Sequence, residues 1–329
     1  MINLALIGLG EWGKNYLSTV KAFPDCRIKY LCSTSAAKLQ PFKKKYIVTT
    51  NFKELSKFED IDGVIIATPG STHYKVTEEF LKKGFNLLIE KPLVIKYEDS
   101  LKLKGLKNKT SSKILVGHIY LFDPAYMKTK ELLKDIGEIK SVSYTGENNG
   151  PFRTDMSILW DLGPHAISII LDLFDKKTLY QVAGWGVESL RPKSNLFDDV
   201  VLRLKFFDQN AIFIKLSWLH PLKKRELVIV GSKSTLIYND LLTSRVILFE
   251  NMGPDIIGNN LIKKLPNIKY PAYEHRLPLE VELGEFIEAI EENKDINKSN
   301  LDFGIKVTKI LHLAEQSINK GGKTMNVSF

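Results

Sequence analysis

The sequence predicts an α/β protein in which a doubly wound parallel sheet is followed by an α+β domain with a large open, mainly antiparallel sheet. Short apolar runs alternate with helix-like segments over residues 1–119, as in parallel sheets that are covered by helices on both faces. Further along, β-rich segments follow one another without helices between them, which indicates antiparallel pairing. The predicted domains are residues 1–119 and 120–329.

Composition and charge exclude several classes of protein. The 329 residues suffice for two cores, and 44% hydrophobic with 26% charged side chains is ordinary for a globular protein. No apolar run approaches the roughly 20 residues of a membrane helix. The net charge of +9 is spread along the chain, without a nucleic-acid-binding motif or a metal-ligand cluster. We therefore expect no membrane, nucleic acid or metal as a partner. Two cysteines, and an apolar start without a basic segment before it, favour a cytoplasmic location.

The first strand, residues 2–7, runs directly into a glycine-rich loop and then a helix. The loop has the pattern G-x-G-x-x-G and consists of Gly8, Leu9, Gly10, Glu11, Trp12 and Gly13. Such glycines permit a tight turn, let backbone approach a pyrophosphate, and let helix and strand pack closely. The helix N-terminus offers N–H groups to the anion. In this context the loop predicts dinucleotide binding, with Glu11 and Trp12 among the contacts.

The second strand, residues 27–32, ends where an acid often holds the adenosine ribose. Here the residues are Ser33 and Thr34, with Lys38 nearby. A carboxylate would repel a 2′-phosphate, whereas hydroxyls and an ammonium can accept one. The expected cofactor is NAD(H) or NADP(H), with NADP(H) slightly favoured. The alternative is an ordinary serine-rich loop, with the ribose held by backbone.

The strand at 62–68 leads to Thr68 and Pro69 and then to a helix, which we expect Ser71 or Thr72 to cap. His73 lies in the first turn of that helix. It either contacts the cofactor or has a structural role, and the sequence leaves both open.

The apolar strand at 85–89 ends in Glu90, Lys91 and Pro92. Pro92 restricts Lys91 to extended backbone and ends the strand. Lys91 is therefore expected at the carboxyl edge of the sheet, where open α/β sheets bind ligands. The alternative is a solvated turn after a strand.

In the second domain a helix begins at Asp123-Pro124-Ala125, and strands are predicted at 179–187, 198–207, 211–218 and 226–230, with a turn at 208–210. An amphipathic helix at 278–290 and a second helix at 303–318 are expected to pack on the core.

Asp161 and His165 are four residues apart, with a Gly-Pro pair between them, ahead of an apolar helix over 166–174. The proline places His165 in the opening turn and Asp161 just before the helix. A carboxylate beside an imidazole fixes its tautomer and raises its basicity, as proton transfer requires. The alternative is a capping aspartate beside a packed histidine. Arg153 is a candidate for holding an anionic substrate group, or equally for a surface salt bridge.

In their order and spacing these motifs resemble the Gfo/Idh/MocA family of NAD(P)-dependent sugar and cyclitol oxidoreductases. The matching residues are Gly8-x-Gly10-x-x-Gly13, Ala67-Thr68-Pro69 with His73, Glu90-Lys91-Pro92, Gly137-Glu138-Ile139, Asp161-x-x-x-His165 and Pro278-Leu279. The resemblance covers nearly the whole chain. It implies a Rossmann domain followed by an α/β domain whose open sheet forms a homodimer or homotetramer. It also implies a catalytic set of Lys91, Asp161 and His165, and a cis Lys91–Pro92 peptide.

Two positions depart from the family pattern: Ser33 replaces an aspartate of many members, and Leu121 replaces an arginine. The run from 150 to 165 looks most like members associated with nucleotide-sugar and surface-polysaccharide metabolism. The resemblance thus implies hydride transfer between nicotinamide and a carbinol or keto carbon of a sugar or nucleotide sugar. Tyr120 and Arg153 are expected to join the catalytic set in contacting the substrate.

In this reaction we expect His165 to act as acid and base, Lys91 to bind the reacting oxygen and Asp161 to orient the pair. Lys91 can instead be the base, because burial beside an oxidised nicotinamide favours a neutral amine. An inositol-type or biliverdin-type reductase of the same fold is an alternative function. So is a binding protein that uses the dinucleotide fold as a sensor or scaffold without turnover.

Overall fold

The computed structural model describes residues 1–175, 178–194, 196–207, 211–251, 255–257, 260–262 and 265–329. The turn predicted at 208–210 lies outside them. The strands are β1 (Ile2–Ile7), β2 (Cys26–Cys32), β3 (Ile47–Thr49), β4 (Gly63–Ile66), β5 (Asn86–Glu90), β6 (Ile114–Gly117), β7 (Ile139–Glu147), β8 (Leu179–Val187), β9 (Asp199–Phe206), β10 (Ile212–Ser217), β11 (Lys224–Gly231), β12 (Ser234–Asn239), β13 (Val246–Glu250), β14 (Asp255–Ile257), β15 (Asn260–Ile262), β16 (Asn267–Lys269) and β17 (Met325–Asn326).

The helices, with the short turns of 3₁₀-helix between them, complete the framework. The α-helices are α1 (Glu11–Thr19), α2 (Ala36–Leu39), α3 (Phe52–Leu55), α4 (Gly70–Leu81), α5 (Tyr97–Lys107), α6 (Pro124–Glu131), α7 (Ile158–Leu173), α8 (Pro278–Glu291) and α9 (Leu301–Asn319). The 3₁₀ turns are Val20–Ala22, Gln40–Phe42, Ile119–Phe122 and Leu132–Asp135. None of the helices in the described ranges is long and apolar enough to cross a membrane.

The chain divides into two compact units, Met1–Phe122 with Arg276–Lys309, and Asp123–His275 with Ile310–Phe329. This division differs from the sequence-based boundary after residue 119 chiefly in the segment that carries α8. Leu283 and Phe286 of α8 are fully buried, and the helix packs on α1 and on the 3₁₀ turn Ile119–Phe122. The apolar stripe of α8 therefore belongs to the core of the first unit.

The first unit contains a parallel sheet. Within residues 1–122, all of which are described, six strands pair in the order β3–β2–β1–β4–β5–β6. Leu87, Leu88 and Ile89 of β5 are fully buried, as expected of strands covered on both faces. With β1 central and the chain running outward in both directions, this is the doubly wound order, and the fold predicted for the N-terminal domain is confirmed.

The capping residue expected for α4 is wrong. The helix begins at Gly70, with Pro69 as its N-cap and no capping side chain. Thr72 lies inside the first turn, where its hydroxyl is 2.7 Å from the Pro69 carbonyl oxygen. Because the helix begins before Ser71, neither hydroxyl is in the position from which a cap can act.

The second unit contains a mixed sheet. Its described strands pair in the order β16–β13–β12–β11–β7–β10–β9–β8–β17. The neighbouring pairs are antiparallel apart from β7 with β10, which run parallel. Along β9 the residues Val200, Leu202 and Leu204 are fully buried and alternate with more exposed ones. The buried face packs on α6 and α7, and the predicted mainly antiparallel sheet is confirmed.

Helix α7 begins earlier than predicted. It starts at Ile158, so that Pro164 lies inside it and Asp161, not His165, is in the first turn. An internal proline costs a helix about 3 kcal/mol because one backbone hydrogen bond is lost. Ile158, Leu159 and their apolar neighbours are buried, and their packing offsets that cost.

Candidate functional site

The glycine loop between β1 and α1 is shaped by two close backbone approaches. Gly8 has φ of +105°, and a Cβ there would lie 2.3 Å from the carbonyl oxygen of Ala67. A Cβ on Gly13 would lie 1.9 Å from the carbonyl oxygen of Gly8. Gly10 differs, since no heavy atom would lie within 4 Å of its Cβ. Gly8 and Gly13 are thus needed by the fold itself, whereas Gly10 leaves space open above the loop.

That open space is part of a cavity of about 560 Å³ beside the N-terminus of α1. The lining residues are Leu9, Gly10, Glu11, Lys14, Asn15, Lys38, Pro41 and Phe42. Two lysines and one glutamate thus line a cavity beside the first turn of α1, and the N-terminus of a helix favours an anion. Trp12, also predicted to contact the cofactor, is 37% exposed on α1.

The hydroxyls after β2 have separate local positions. Ser33 is buried, and its Oγ accepts from the backbone N–H of Ser35 at 3.3 Å. Thr34 and Lys38 are exposed. Ser35, rather than either predicted contact, caps the short helix α2. No acidic residue occurs among these positions after β2.

His73 bridges the segments that follow β4 and β5. The ring is fully buried, with Nδ1 2.7 Å from the Pro92 carbonyl oxygen and Nε2 2.8 Å from the Thr68 carbonyl oxygen. Burial lowers the pKa of His73, while hydrogen bonds to Pro92 and Thr68 oppose the change. This geometry gives His73 a structural role at the sheet edge, next to the predicted contacts Thr68 and Pro69.

Lys91 follows β5 in a buried setting. Glu90 is 7% exposed, and its Oε2 accepts from the backbone N–H of Lys91 at 3.1 Å. Pro92 is buried as well, and the Lys91–Pro92 peptide is cis. The solvated-turn alternative therefore does not hold for Glu90 and Pro92. Lys91 itself is partly exposed at the carboxyl edge of the sheet.

Sequence reasoning did not identify His118 as a site residue. Its Nδ1 lies 2.7 Å from the Ser299 hydroxyl oxygen, and that hydroxyl donates to the carbonyl oxygen of Val116 at 2.7 Å. Since the serine proton is used there, Nδ1–H of His118 is the donor in this contact. Burial, and then the charge of Lys91, lowers the pKa of His118 to about 3.

The 3₁₀ turn after His118 holds the remaining predicted residues of the first unit. Leu121, which departs from the family pattern described above, is fully buried in that turn as part of the apolar core. Tyr120, the predicted substrate contact, is partly exposed.

In the second unit, α7 carries Asp161 and His165 one helical turn apart. His165 is 8% exposed and Asp161 is partly exposed. Residues four apart on a helix project to the same side, so Asp161 and His165 share one side of α7 although the helix starts earlier. Their pairing as carboxylate and imidazole stays a prediction.

Arg153 forms a salt bridge in this structure. Its Nε and Nη2 donate to the two carboxylate oxygens of Asp155, each at 3.1 Å. Both side chains are 38% exposed, and the hydrogen bond to Asp155 raises the pKa of Arg153. The surface salt bridge was one of the two roles considered for this residue.

No group of three or more His, Cys, Asp and Glu side chains suited to a metal ion occurs in the described part of the chain.

The chain is similar to known oxidoreductases. The family described as "Oxidoreductase family, NAD-binding Rossmann fold" matches residues 2–118. Inositol 2-dehydrogenase of Rhizobium meliloti is 27% identical over 150 residues, 45% of this chain and 46% of that protein. UDP-N-acetylglucosamine 3-dehydrogenase of Acidithiobacillus ferrooxidans is 28% identical over 140 residues, 42% of this chain and 43% of that protein. These alignments therefore span less than half of each curated relative.

A solved structure matches over a longer range. The crystal structure of a putative oxidoreductase from Magnetospirillum magnetotacticum superposes with a TM-score of 0.83 at 27% identity, covering 95% of this chain and 99% of that one. Both units of the chain thus have counterparts in one known protein.

Proposed function

We propose that this chain, whose residues 2–118 match the oxidoreductase family with an NAD-binding Rossmann fold, transfers a hydride between NAD(P)(H) and a carbinol or keto carbon of a sugar or nucleotide sugar. The observation that carries this proposal is the placement of Lys91. It is a partly exposed lysine at the carboxyl edge of the parallel sheet, directly after a buried glutamate that binds its backbone. Ligands of open α/β sheets bind at that edge.

The glycine loop fits a dinucleotide. The free space above Gly10, and its continuation into the cavity beside α1, are what a pyrophosphate passing over the loop requires. When bound, the nicotinamide ring supplies the acceptor or donor of the hydride. The residues proposed to hold the dinucleotide are Gly8, Gly10, Glu11, Trp12, Gly13, Ser33, Thr34, Lys38, Thr68, Pro69, Glu90 and Lys91. The buried His73 is proposed to act through Thr68, whose carbonyl oxygen its ring contacts.

We propose a slight preference for NADP(H). Lys14 and Lys38 both line the cavity, and Ser33 occupies the position after β2 where an acid would repel a 2′-phosphate. Titration with NADH and NADPH, followed by quenching of tryptophan fluorescence, tests this. Lys38→Ala should weaken NADPH binding and leave NADH binding unchanged. Equal loss for both nucleotides would show that Lys38 does not read the 2′-phosphate.

The protein side chains have distinct roles in the proposed reaction. Oxidation of a carbinol requires removal of the hydroxyl proton, and His165 is proposed to take and return it. Lys91 donates a hydrogen bond to the reacting oxygen, and Asp161 orients the imidazole. Transfer of the proton to Lys91 is the alternative assignment. In this scheme residues 1–119 bind the dinucleotide, and residues 120–329 bind substrate and form the oligomer.

The proposed substrate class is a cyclic polyol, a sugar or a nucleotide sugar. It rests on the inositol and UDP-N-acetylglucosamine dehydrogenases among the relatives. Tyr120 and Arg153 are the proposed substrate contacts outside the catalytic set. Arg153 would exchange its carboxylate partner Asp155 for an anionic substrate group, and the two exposed side chains make that exchange inexpensive.

The open face of the second unit's sheet is the proposed surface for a homodimer or homotetramer. Phe213 on β10 is 50% exposed, and its strand neighbour Ile214 points to the opposite, buried face. Light scattering after gel filtration measures the subunit number. Phe213→Glu should lower it, whereas an unchanged assembly would exclude this face.

The decisive experiment for function replaces Lys91. Lys91→Met should reduce kcat by several orders of magnitude on a panel of polyols, sugars and nucleotide sugars while cofactor affinity stays near normal. Lys96→Met is the matched control, since Lys96 is an exposed lysine five positions along the same segment. Normal turnover by Lys91→Met would refute the assignment. Cofactor binding by the native protein without turnover of any substrate would favour the sensor or scaffold.

A further inference from the structure

Three buried polar side chains meet in the interior of the first unit, and none of them transfers a proton to or from the substrate in the proposed reaction. Tyr16 comes from α1, Glu90 from the end of β5 and Glu282 from α8. Tyr16 and Glu282 are fully buried and Glu90 is 7% exposed. The Tyr16 hydroxyl lies 2.8 Å from Glu90 Oε1 and 3.0 Å from Glu282 Oε1.

The number of protons in this cluster is constrained. A tyrosine hydroxyl has one hydrogen to donate, and an ionised carboxylate can only accept. Two ionised carboxylates around Tyr16 would leave one oxygen facing the phenol oxygen without a proton between them, in an interior where unpaired charge is costly. Both contacts are hydrogen bonds when one carboxyl group is protonated and donates to the phenol oxygen.

The partners of the two acids decide which one holds the proton. Glu90 has two donors, the Tyr16 hydroxyl and the backbone N–H of Lys91, and the charge of Lys91 favours its ionised form. Among the described residues, Glu282 has a side-chain hydrogen bond with Tyr16 alone, and its buried Oε2 has no hydrogen-bond partner.

The effects of burial and of neighbouring groups on the two carboxyl pKa values agree with that assignment. Burial, then the charge of Glu90, raises the pKa of Glu282 well above its ordinary value, against a smaller opposing effect of Tyr16. Burial also raises the pKa of Glu90, but Tyr16 and Lys91 oppose it. Glu282 is therefore the acid that stays neutral.

We propose that Glu282 is a protonated positioning residue, which donates to Tyr16 so that Tyr16 donates to Glu90 and Glu90 holds the Lys91 backbone in place. The chain of donors runs in one direction, from the carboxylic acid to the phenol and then to the carboxylate. Glu90 then presents Oε2 to Lys91 N–H, which anchors the peptide from which the lysine side chain projects. The consequence for turnover rests on the proposed function of Lys91, whereas the protonation state and the anchoring do not.

The protonation state is tested by carbon NMR of the native protein with ¹³C at the glutamate side-chain carboxyl. The resonance missing from Glu282→Gln identifies Glu282, and Glu285→Gln identifies an exposed glutamate of the same helix as the reference. We expect Glu282 to keep the shift of a protonated acid at neutral pH, where Glu285 has the shift of a carboxylate. A Glu282 resonance that titrates together with Glu285 would overturn the proposal.

Anchoring is tested by hydrogen exchange of the peptide that contains Lys91. Tyr16→Phe and Glu282→Leu should speed exchange at this peptide about tenfold, because the oriented acceptor for the Lys91 amide is lost. Glu282→Gln should exchange like the native protein, since its amide N–H can donate to Tyr16 as the acid does. Unchanged exchange in Tyr16→Phe would overturn the proposal, and this variant keeps the ring and thus the packing.

Kinetics separates this inference from the proposed function. In a native protein that turns over, Tyr16→Phe and Glu282→Leu should lower kcat about tenfold with unchanged cofactor affinity, and Glu282→Gln should restore it. Loss of kcat in Glu282→Gln equal to that in Glu282→Leu would overturn the donor role. If the native protein has no turnover, the proposed function fails, and the NMR and exchange results still decide whether Glu282 is the protonated anchor.

Discussion

Substitution by alanine should lower the stability of the protein at Gly13 and its affinity for the dinucleotide at Gly10. In Gly13→Ala the new methyl would lie 1.9 Å from the carbonyl oxygen of Gly8, and since Cβ atoms essentially never come within 3.0 Å of such an atom, α1 and the loop must separate by about 1 Å. Overpacking of this kind costs about 1–3 kcal/mol. In Gly10→Ala nothing lies within 4 Å of the new methyl, and φ is −75°. Alanine is a poorer N-cap than glycine, but it reduces the entropy of the unfolded chain by a comparable amount, so the free energy of unfolding should change by less than about 0.5 kcal/mol.

The assay pairs urea denaturation with titration by NADH and NADPH. Gly13→Ala should unfold at lower urea. Gly10→Ala should unfold like the native protein yet bind either nucleotide at least about tenfold more weakly, because its methyl points into the space that a pyrophosphate would use. Native stability in Gly13→Ala would refute the packing argument. Native affinity in Gly10→Ala would refute the placement of the dinucleotide over this loop.

Three further predictions concern buried groups. The raised pKa of Glu282 contributes stability that is fully present below the ordinary pKa of 4.5 and is lost as pH rises toward the folded-state pKa. In that window the free energy of unfolding of Glu282→Gln should rise relative to that of the native protein by up to about 1.4 kcal/mol per pH unit. Urea denaturation at several pH values measures this difference, and a difference that does not change with pH would contradict the prediction. Burial raises the pKa of Cys26 to about 12 and that of Cys32 to about 11. Iodoacetamide labelling at pH 8, followed by mass spectrometry, should therefore be slow in the folded protein and fast after unfolding. Rapid labelling of the folded protein would show that the thiols are accessible. Asp123→Ala removes both the cap of α6 and the oxygen that accepts from the Tyr238 hydroxyl at 2.7 Å. It should lower the free energy of unfolding by about 2–4 kcal/mol. Asp123→Asn should lower the free energy of unfolding by less.

The parallel sheet could be predicted because its information is local. Strands such as β4 and β5 consist mainly of consecutive apolar residues, and three glycines at fixed spacing identify the loop after β1. The start of α7 could not be predicted by the same means. Pro164 is a local signal for a helix start, but the buried residues from Ile158 onward extend the helix backward through tertiary packing.

The candidate site likewise contains residues that a local motif predicts and residues that only the folded chain brings together. Lys91 and the glycine loop are short motifs, whereas Tyr16 and Glu282 meet across 266 positions of sequence. One signal for Glu282 was present, since it lies beside Leu283 and three residues after Leu279 on the otherwise apolar stripe of α8. An acid on an apolar face is either paired or neutral. The sequence alone does not show which side chain faces it.

The first unit is built from two separated stretches of the chain, so it cannot be completed while its first stretch is being synthesised. A ribosome makes the parallel strands and Tyr16 early, then all of residues 123–275, and only afterwards α8 with Leu283 and Phe286. Until α8 emerges, the surface that these side chains cover is open to water, and exposed apolar surface in a nascent chain invites aggregation or a chaperone. Both units wait for a later stretch, Arg276–Lys309 in the first and Ile310–Phe329 in the second. The first waits while more of the chain is made, so its nascent form should be exposed to proteolysis for longer.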